Sequence, residues 1–191
     1  MAGATPPPTR LSAEVDGLIV FEGSTKKAQR VLVTGNAGAG KTTLAKDIAR
    51  RLDIPFYSLD SIVWQSGWKK TPSEERTKMI ESLVSSNTWI IDGVSVQVQE
   101  RADMVIFIDL PRRVSFIRVC RRNWRYLFRS RPELPPNCPE ILIIPKLFKI
   151  IWVFPSRTRL KILEIMSEKK SSQKQYHLKC KYEVEEFLSD F

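Results

Sequence analysis

Apolar residues fall into two alternating rhythms along this chain. From Gln29 onward, short apolar runs alternate with longer segments in which apolar positions recur at helical spacing. Arg30-Val31-Leu32-Val33-Thr34 reads as a buried strand, followed by a glycine-rich turn and a helix from about Lys41 to Leu52. Ile54 to Leu59 reads as a second strand. Thr71-Pro72-Ser73-Glu74 predicts a helix start, with Thr71 as the cap, Pro72 at the first helical position and Glu74 closing a capping box. That helix is expected to run to about Ser86. Trp89 to Asp92 and Met104 to Asp109 read as two further strands, each ending in Asp, and Tyr176 to Cys180 as a last strand before a helix over Val184 to Leu188. Short apolar strands alternating with helices imply βαβ units, hence an α/β fold with a parallel sheet covered on both faces.

Residues 1–28 break this pattern. Their proline-rich start predicts a tail, with Leu18 to Phe21 as a short strand, so the domain is expected over residues 29–191. Composition agrees with one globular domain: 191 residues, 42% hydrophobic and 27% charged. No apolar segment follows a basic start at the N-terminus, and Ile141 to Phe154 is too short, and too interrupted by Pro145, Lys146 and Lys149, to span a bilayer. The expectation is a soluble, cytoplasmic chain with no transmembrane segment. Cys120, Cys138 and Cys180 lack the close pairing of a zinc site and read as plain thiols.

The densest chemical signal is Gly35-Asn36-Ala37-Gly38-Ala39-Gly40-Lys41-Thr42, which fits G-x-x-x-x-G-K-[ST] and continues into Thr43. Glycines permit the backbone angles and close approach that aim successive N–H groups at phosphates, and the following helix adds the positive end of its dipole. In this pattern Lys41 reaches the β- and γ-phosphates of ATP, and the Thr42 hydroxyl ligates magnesium. Between the two strand-end acids, Asp92 is the better second magnesium handle. Asp109, followed by Leu110-Pro111, reads as a residue capping the next turn. Asp60 ends the second strand at the carboxyl edge, where it would either orient and deprotonate an acceptor hydroxyl or cap the short segment Ser61 to Trp64.

Charge then changes the picture. The net +10 is concentrated in Arg112 to Arg131, which holds eight Arg and no acid before Glu133. At 100° per residue Arg118, Arg121, Arg122, Arg125 and Arg129 share one arc, with Ile117, Cys120, Trp124, Leu127 and Phe128 opposite as an apolar back. Close cations without acids at i±4 point to an anion. Three readings stay open: an Arg lid over nucleotide phosphates, with Arg121 and Arg125 acting on the transferred group; a nucleic-acid surface interleaved with Trp124, Tyr126 and Phe128; or a solvated basic helix. Arg157 and Arg159 are candidates for the opposite jaw of a lid spanning about 112–168. Ile141 to Phe154 reads as a buried helical hairpin beneath it, or alternatively as a membrane-surface segment.

Several motifs occur in order: Gly35 to Thr43, Leu59-Asp60, Trp89 to Gly93, Ala102-Asp103 leading into Ile106 to Asp109, Arg131-Pro132-Glu133, Cys138-Pro139-Glu140, and Ile151-Trp152 with Phe154-Pro155. Together they resemble the adenylate-kinase-like P-loop proteins often labelled "DNA topology modulation protein". The resemblance implies a nucleoside-monophosphate-kinase-like parallel sheet of about five strands, an Arg-rich helical lid, nucleotide binding at Gly35 to Thr43 and magnesium at Asp92. This chain departs from the pattern after Asp92-Gly93, where Val94-Ser95-Val96 replaces the Asn and aromatic of that family and the Pro-Arg of adenylate kinases proper. Asp60 lacks the second Asp two residues on that a shikimate kinase would carry. The expected activity is transfer of the γ-phosphoryl of magnesium-ATP to a small acceptor. The rival is a nucleic-acid-associated ATPase or nucleotide-dependent binding module that uses the Arg stripe.

Overall fold

The computed structural model describes residues 29–126, 128, 130, 134–168 and 172–190. Expectations placed on residues 1–28, on Leu127, Arg129 and residues 131–133, and on the Arg125 side chain lie outside the described residues.

Seven strands and eight helices alternate along the described chain: β1 (Arg30–Gly35), α1 (Lys41–Leu52), β2 (Phe56–Ser58), α2 (Leu59–Val63), β3 (Trp64–Gln65), β4 (Lys69–Lys70), α3 (Ser73–Val84), β5 (Trp89–Asp92), α4 (Val96–Arg101), β6 (Met104–Ile108), α5 (Arg112–Tyr126), α6 (Ile144–Val153), α7 (Thr158–Ser167), β7 (Lys174–Leu178) and α8 (Lys181–Asp190). Five strands form one parallel sheet in the order β2-β5-β1-β6-β7. β3 and β4 form a separate small hairpin. The phosphate-loop strand β1 is therefore central, and its carboxyl end opens between β5 and β6.

The expected parallel α/β sheet is present, and its strands are apolar on both faces because helices cover both. Val31, Val33, Ile90, Ile106 and Ile108 pack against Leu44, Ala45 and Ile48 of α1 and, at the rim, Phe187 of α8. Leu32, Ile91 and Val105 face the other way, toward Ile62, Ile80, Val84 and Val98. Each such fully buried side chain contributes ~1.5–3 kcal/mol. That burial anchors the strand whose end carries the loop.

Four local expectations are corrected. The capping box does not form: Pro72 takes the cap position of α3, and the buried Thr71 hydroxyl donates to the Ile62 carbonyl at 2.6 Å. Thr71 is drawn inward because its N–H also closes the neck of the β3–β4 hairpin by donating to Val63. The second strand is only Phe56–Ser58, since Leu59 already begins α2, so Asp60 lies inside that helix and Ser58 is at its cap position. β7 starts at Lys174, two residues before the expected Tyr176, because main-chain pairing with Met104 and Val105 recruits the polar Lys174 and Gln175 into an edge strand. Ile141 to Phe154 is no hairpin: a 3-10 turn, Glu140–Leu142, leads into the single helix α6, which buries Leu147 and Ile151.

Candidate active site

The loop between β1 and α1 is shaped by left-handed backbone. Gly38 has φ +77°, and a Cβ there would stand 2.7 Å from the Ser115 carbonyl oxygen and 2.8 Å from Val119 Cγ2. Gly40, at φ +103°, occupies the cap position of α1 and offers no side-chain acceptor to the first helical N–H groups. These donors keep the positive end of the helix dipole turned into the loop, and the first turn carries no acid. A polyphosphate fits such a cradle, because it accepts from several N–H groups at once. Lys41 Nζ donates to the Asn36 carbonyl at 3.0 Å, so the ammonium already lies over the loop.

Hard oxygen donors converge beside it. The Thr42 hydroxyl donates to the Asp92 carboxylate. Asp92 is buried at the end of β5, paired in register with Val33 of β1 and Ser58 of β2. One hydroxyl and one carboxylate, beside backbone N–H groups that could hold phosphate oxygens, suit the oxygen-only coordination of magnesium. Among the described residues no cluster of three or more His, Cys, Asp or Glu could hold a metal by itself, so magnesium here would rely on phosphate and water for most of its shell. Asp60 is exposed two residues beyond Ser58, on the same carboxyl edge.

Next to Asp60, the hairpin supplies an aromatic wall. Trp64 and Trp68 meet edge to face at 5.3 Å, and Lys146 Nζ of α6 lies 4.2 Å above the Trp64 ring. Partial burial and the neighbouring Lys70 push the Lys146 ammonium below its usual range. Nothing in the hydropathy pattern marks this hairpin, whose strands are two residues each.

The basic helix α5 packs differently from its expected phase. Its buried residues are Ser115, Val119 and Asn123. The supposed apolar back is the solvent face, with Ile117 68%, Trp124 82% and Phe128 78% exposed and Cys120 exposed as well. The reason is the loop itself: glycine at position 38 lets α5 come to backbone contact, and small Ser115 and Val119 fit that approach better than Trp or Phe. This phase carries Arg118 to the loop, where its Nη1 donates to the Ala39 carbonyl at 2.9 Å. Among the stripe residues whose side chains are described, Arg118 thus reaches the loop, while Arg121 is exposed. Charge relief comes from outside the helix. Glu140 is completely buried, with Arg122 Nη2 3.9 Å from its carboxylate and the Asn123 amide turned to donate to it at 2.9 Å.

Asp109 caps no turn. Its carboxylate accepts from Arg159 Nε at 2.8 Å and meets His177 Nε2 at 2.8 Å, tying β6 to α7 and β7. Arg159 is therefore engaged in the scaffold instead of forming a second jaw. His177 also stacks on Phe107 at 5.0 Å.

Comparison with known proteins agrees with this geometry. Residues 31–110 match the model of the ATPase family associated with various cellular activities (AAA). A shikimate kinase from Bacteroides thetaiotaomicron is 43% identical over 53 residues, 28% of this chain and 30% of that protein. A second, from Bacteroides fragilis, is 61% identical over 31 residues, 16% of this chain and 17% of its own length. These alignments thus span under a third of the curated relatives. In three dimensions the chain resembles the crystal structure of shikimate kinase from Bacteroides thetaiotaomicron, with TM-score 0.51 and 19% identity over 85% of this chain and 96% of that one. The likeness is one of fold, a five-stranded parallel sheet covered by helices.

Proposed function

We propose that this chain is an ATP-dependent phosphotransferase acting on a small hydroxyl-bearing acceptor held beside Asp60. The observation that carries the reading is the Thr42–Asp92 hydrogen bond across the mouth of a glycine loop, with the exposed Asp60 on the same carboxyl edge of the sheet. Magnesium, which Thr42 and Asp92 would hold, would offset the negative charge of the polyphosphate. Everything else is done by the chain. The backbone N–H groups from Gly38 to Thr42 and the Lys41 ammonium hold the polyphosphate, Thr42 and Asp92 supply oxygen donors to the ion, and Thr43 continues the helix start. Arg118, whose guanidinium reaches the loop at the Ala39 carbonyl, brings a cation toward the transferred group, whose charge is spread over three oxygens. Asp60 orients the acceptor hydroxyl and takes its proton as the new oxygen–phosphorus bond forms and ADP departs.

The likeness to shikimate kinases supports a small polar acceptor over a macromolecular one. Ile62, where a second Asp would stand, and the Trp64–Lys146 pair argue that the acceptor is not shikimate itself. Cys138-Pro139-Glu140 and Phe154-Pro155 support the adenylate-kinase-like side of the same reading, since the first fastens α5 through Glu140 and the second ends α6.

A screen of phosphate acceptors with labelled ATP, read by product formation, tests the proposal. Asp60→Asn is expected to abolish transfer to the acceptor found and to spare slow ATP hydrolysis. Transfer unchanged in Asp60→Asn would overturn the role of Asp60. Absence of magnesium-ATP binding would overturn the phosphotransferase reading.

A further inference from the structure

α5 and α6 lie side by side and antiparallel. Arg112 stacks over the Trp152 ring at 4.6 Å, Phe116 meets Phe148 at 5.4 Å, and Arg122 approaches Glu140 at the far end. Each helix buries one side: Ser115, Val119 and Asn123 on α5, Leu147 and Ile151 on α6. The opposite sides therefore point the same way, out from the loop. They carry Arg113, Ile117 and Trp124 on α5, and Lys149 and Trp152 on α6, with Leu142 just before it; Leu142 is 68% and Trp152 63% exposed.

Among the described residues of α5, α6 and the segment between them, the exposed charges have one sign. Between Asp109 and Glu164 the only acids in the sequence are Glu133 and Glu140, and Glu140 is buried inward. Glu133 lies outside the described residues. A partner for this face must bring negative charge and accept aliphatic side chains together with indoles.

We propose that the outward face of the α5–α6 pair docks on an anionic lipid bilayer, with Trp124, Ile117 and Leu142 entering the headgroup–acyl boundary and Arg113 and Lys149 at the headgroups. Tryptophan settles at that boundary, and basic residues beside an apolar stripe bind anionic headgroups. Nucleic acid fits less well: bases stack on aromatic rings, while Ile117 and Leu142 offer no π-face and would stay wet against a phosphate backbone. A second copy fits less well too, since a two-fold contact would set one cationic surface against another. No helix of the described residues is long and apolar enough to cross a membrane, so the attachment is peripheral.

Cosedimentation of the full chain with phosphatidylcholine vesicles, with and without phosphatidylserine, at near-physiological salt tests this. Binding is expected only to the phosphatidylserine vesicles, with tryptophan emission quenched by brominated acyl chains. The double variant Ile117→Ser, Trp124→Ser should lower vesicle affinity at least about tenfold, since each removes a large apolar contact. Arg113→Glu with Lys149→Glu should do the same. Nucleotide affinity should be unchanged in both double variants. Failure to bind phosphatidylserine vesicles, or equal binding by either double variant, would overturn the proposal. So would tighter binding to duplex or single-stranded nucleic acid at that salt, or a dimer that the Ile117→Ser, Trp124→Ser variant dissolves.

Discussion

The Asn36 side-chain amide donates to the main-chain carbonyl of Ile151 at 3.3 Å, fastening the second residue of the phosphate loop to α6. That carbonyl lacks its helical donor, because the residue four positions on is Pro155, which has no N–H. Asn36 is buried, and its Oδ1 accepts from the Ala37 N–H at 2.8 Å. One side chain thus satisfies a helix end and a loop amide together.

Asn36→Ala is expected to leave both groups unpaired and to destabilise the protein by about 1–3 kcal/mol. Thermal denaturation should register this as a loss of several degrees. Nucleotide affinity should fall as well, since the loop loses its tie to α6. An unchanged melting temperature would show that the tie is dispensable.

Lys41 contributes charge and little packing. Lys41→Ala should keep the melting temperature within about a degree or two, consistent with a surface substitution. It should weaken ATP binding by about 10- to 100-fold, the size of one charge-assisted hydrogen bond of ~1.5–3 kcal/mol. Asp92→Asn should instead raise the magnesium concentration needed for half-maximal activity more than it weakens nucleotide binding. Calorimetric titration at several magnesium concentrations separates the two.

Arg118 and Arg121 differ in placement, so their variants should differ in effect. Arg118→Ala removes the guanidinium that reaches Ala39 and should lower turnover about 10- to 100-fold, in the range of a lost charge-assisted contact. Arg121→Ala, altering an exposed residue, should cost less. Steady-state kinetics of the two variants would contradict this packing of α5 if the order were reversed.

Asp109 holds Arg159 and His177 with its carboxylate only 12% exposed. Asp109→Ala should cost about 1–3 kcal/mol, the size of leaving partly buried polar partners unmatched. Urea denaturation at neutral pH is the direct measure. Because His177 and Arg159 belong to β7 and α7, the loss should appear as faster amide exchange in those elements before the central strands.

The phosphate loop and its neighbouring strands were legible because their signals are local. Val31 to Val33 and Ile90-Ile91 are apolar on both faces, which only a strand covered from both sides requires, and the glycine spacing of the loop is a backbone demand written residue by residue. The β3–β4 hairpin and the start of β7 were not legible, since two-residue strands and a polar edge strand leave no periodicity to read. Thr71 misled because the same hydroxyl serves a cap or a buried turn, and the difference lies in what packs over it.

The sequence alone determined the order along the chain of the five sheet strands and of helices α1, α3, α5 and α8, the loop from Gly35 to Thr43, and the presence of an amphipathic basic segment after Asp109. What it could not determine was the rotation of α5 about its own axis. An apolar stripe normally turns inward, because burial of Trp and Phe releases more free energy than burial of Ser and Val. Here the close approach at Gly38 admits only Ser115 and Val119, and Asn123 and Arg122 find Glu140 on a segment 17 residues away from Asn123 in sequence. Only the tertiary structure therefore decided that Arg118 meets the loop, that Asp109 binds Arg159 and His177, and that Trp124 faces solvent. Each is a contact between distant segments, and such contacts are set by steric fit across the fold and not by any repeat along the chain.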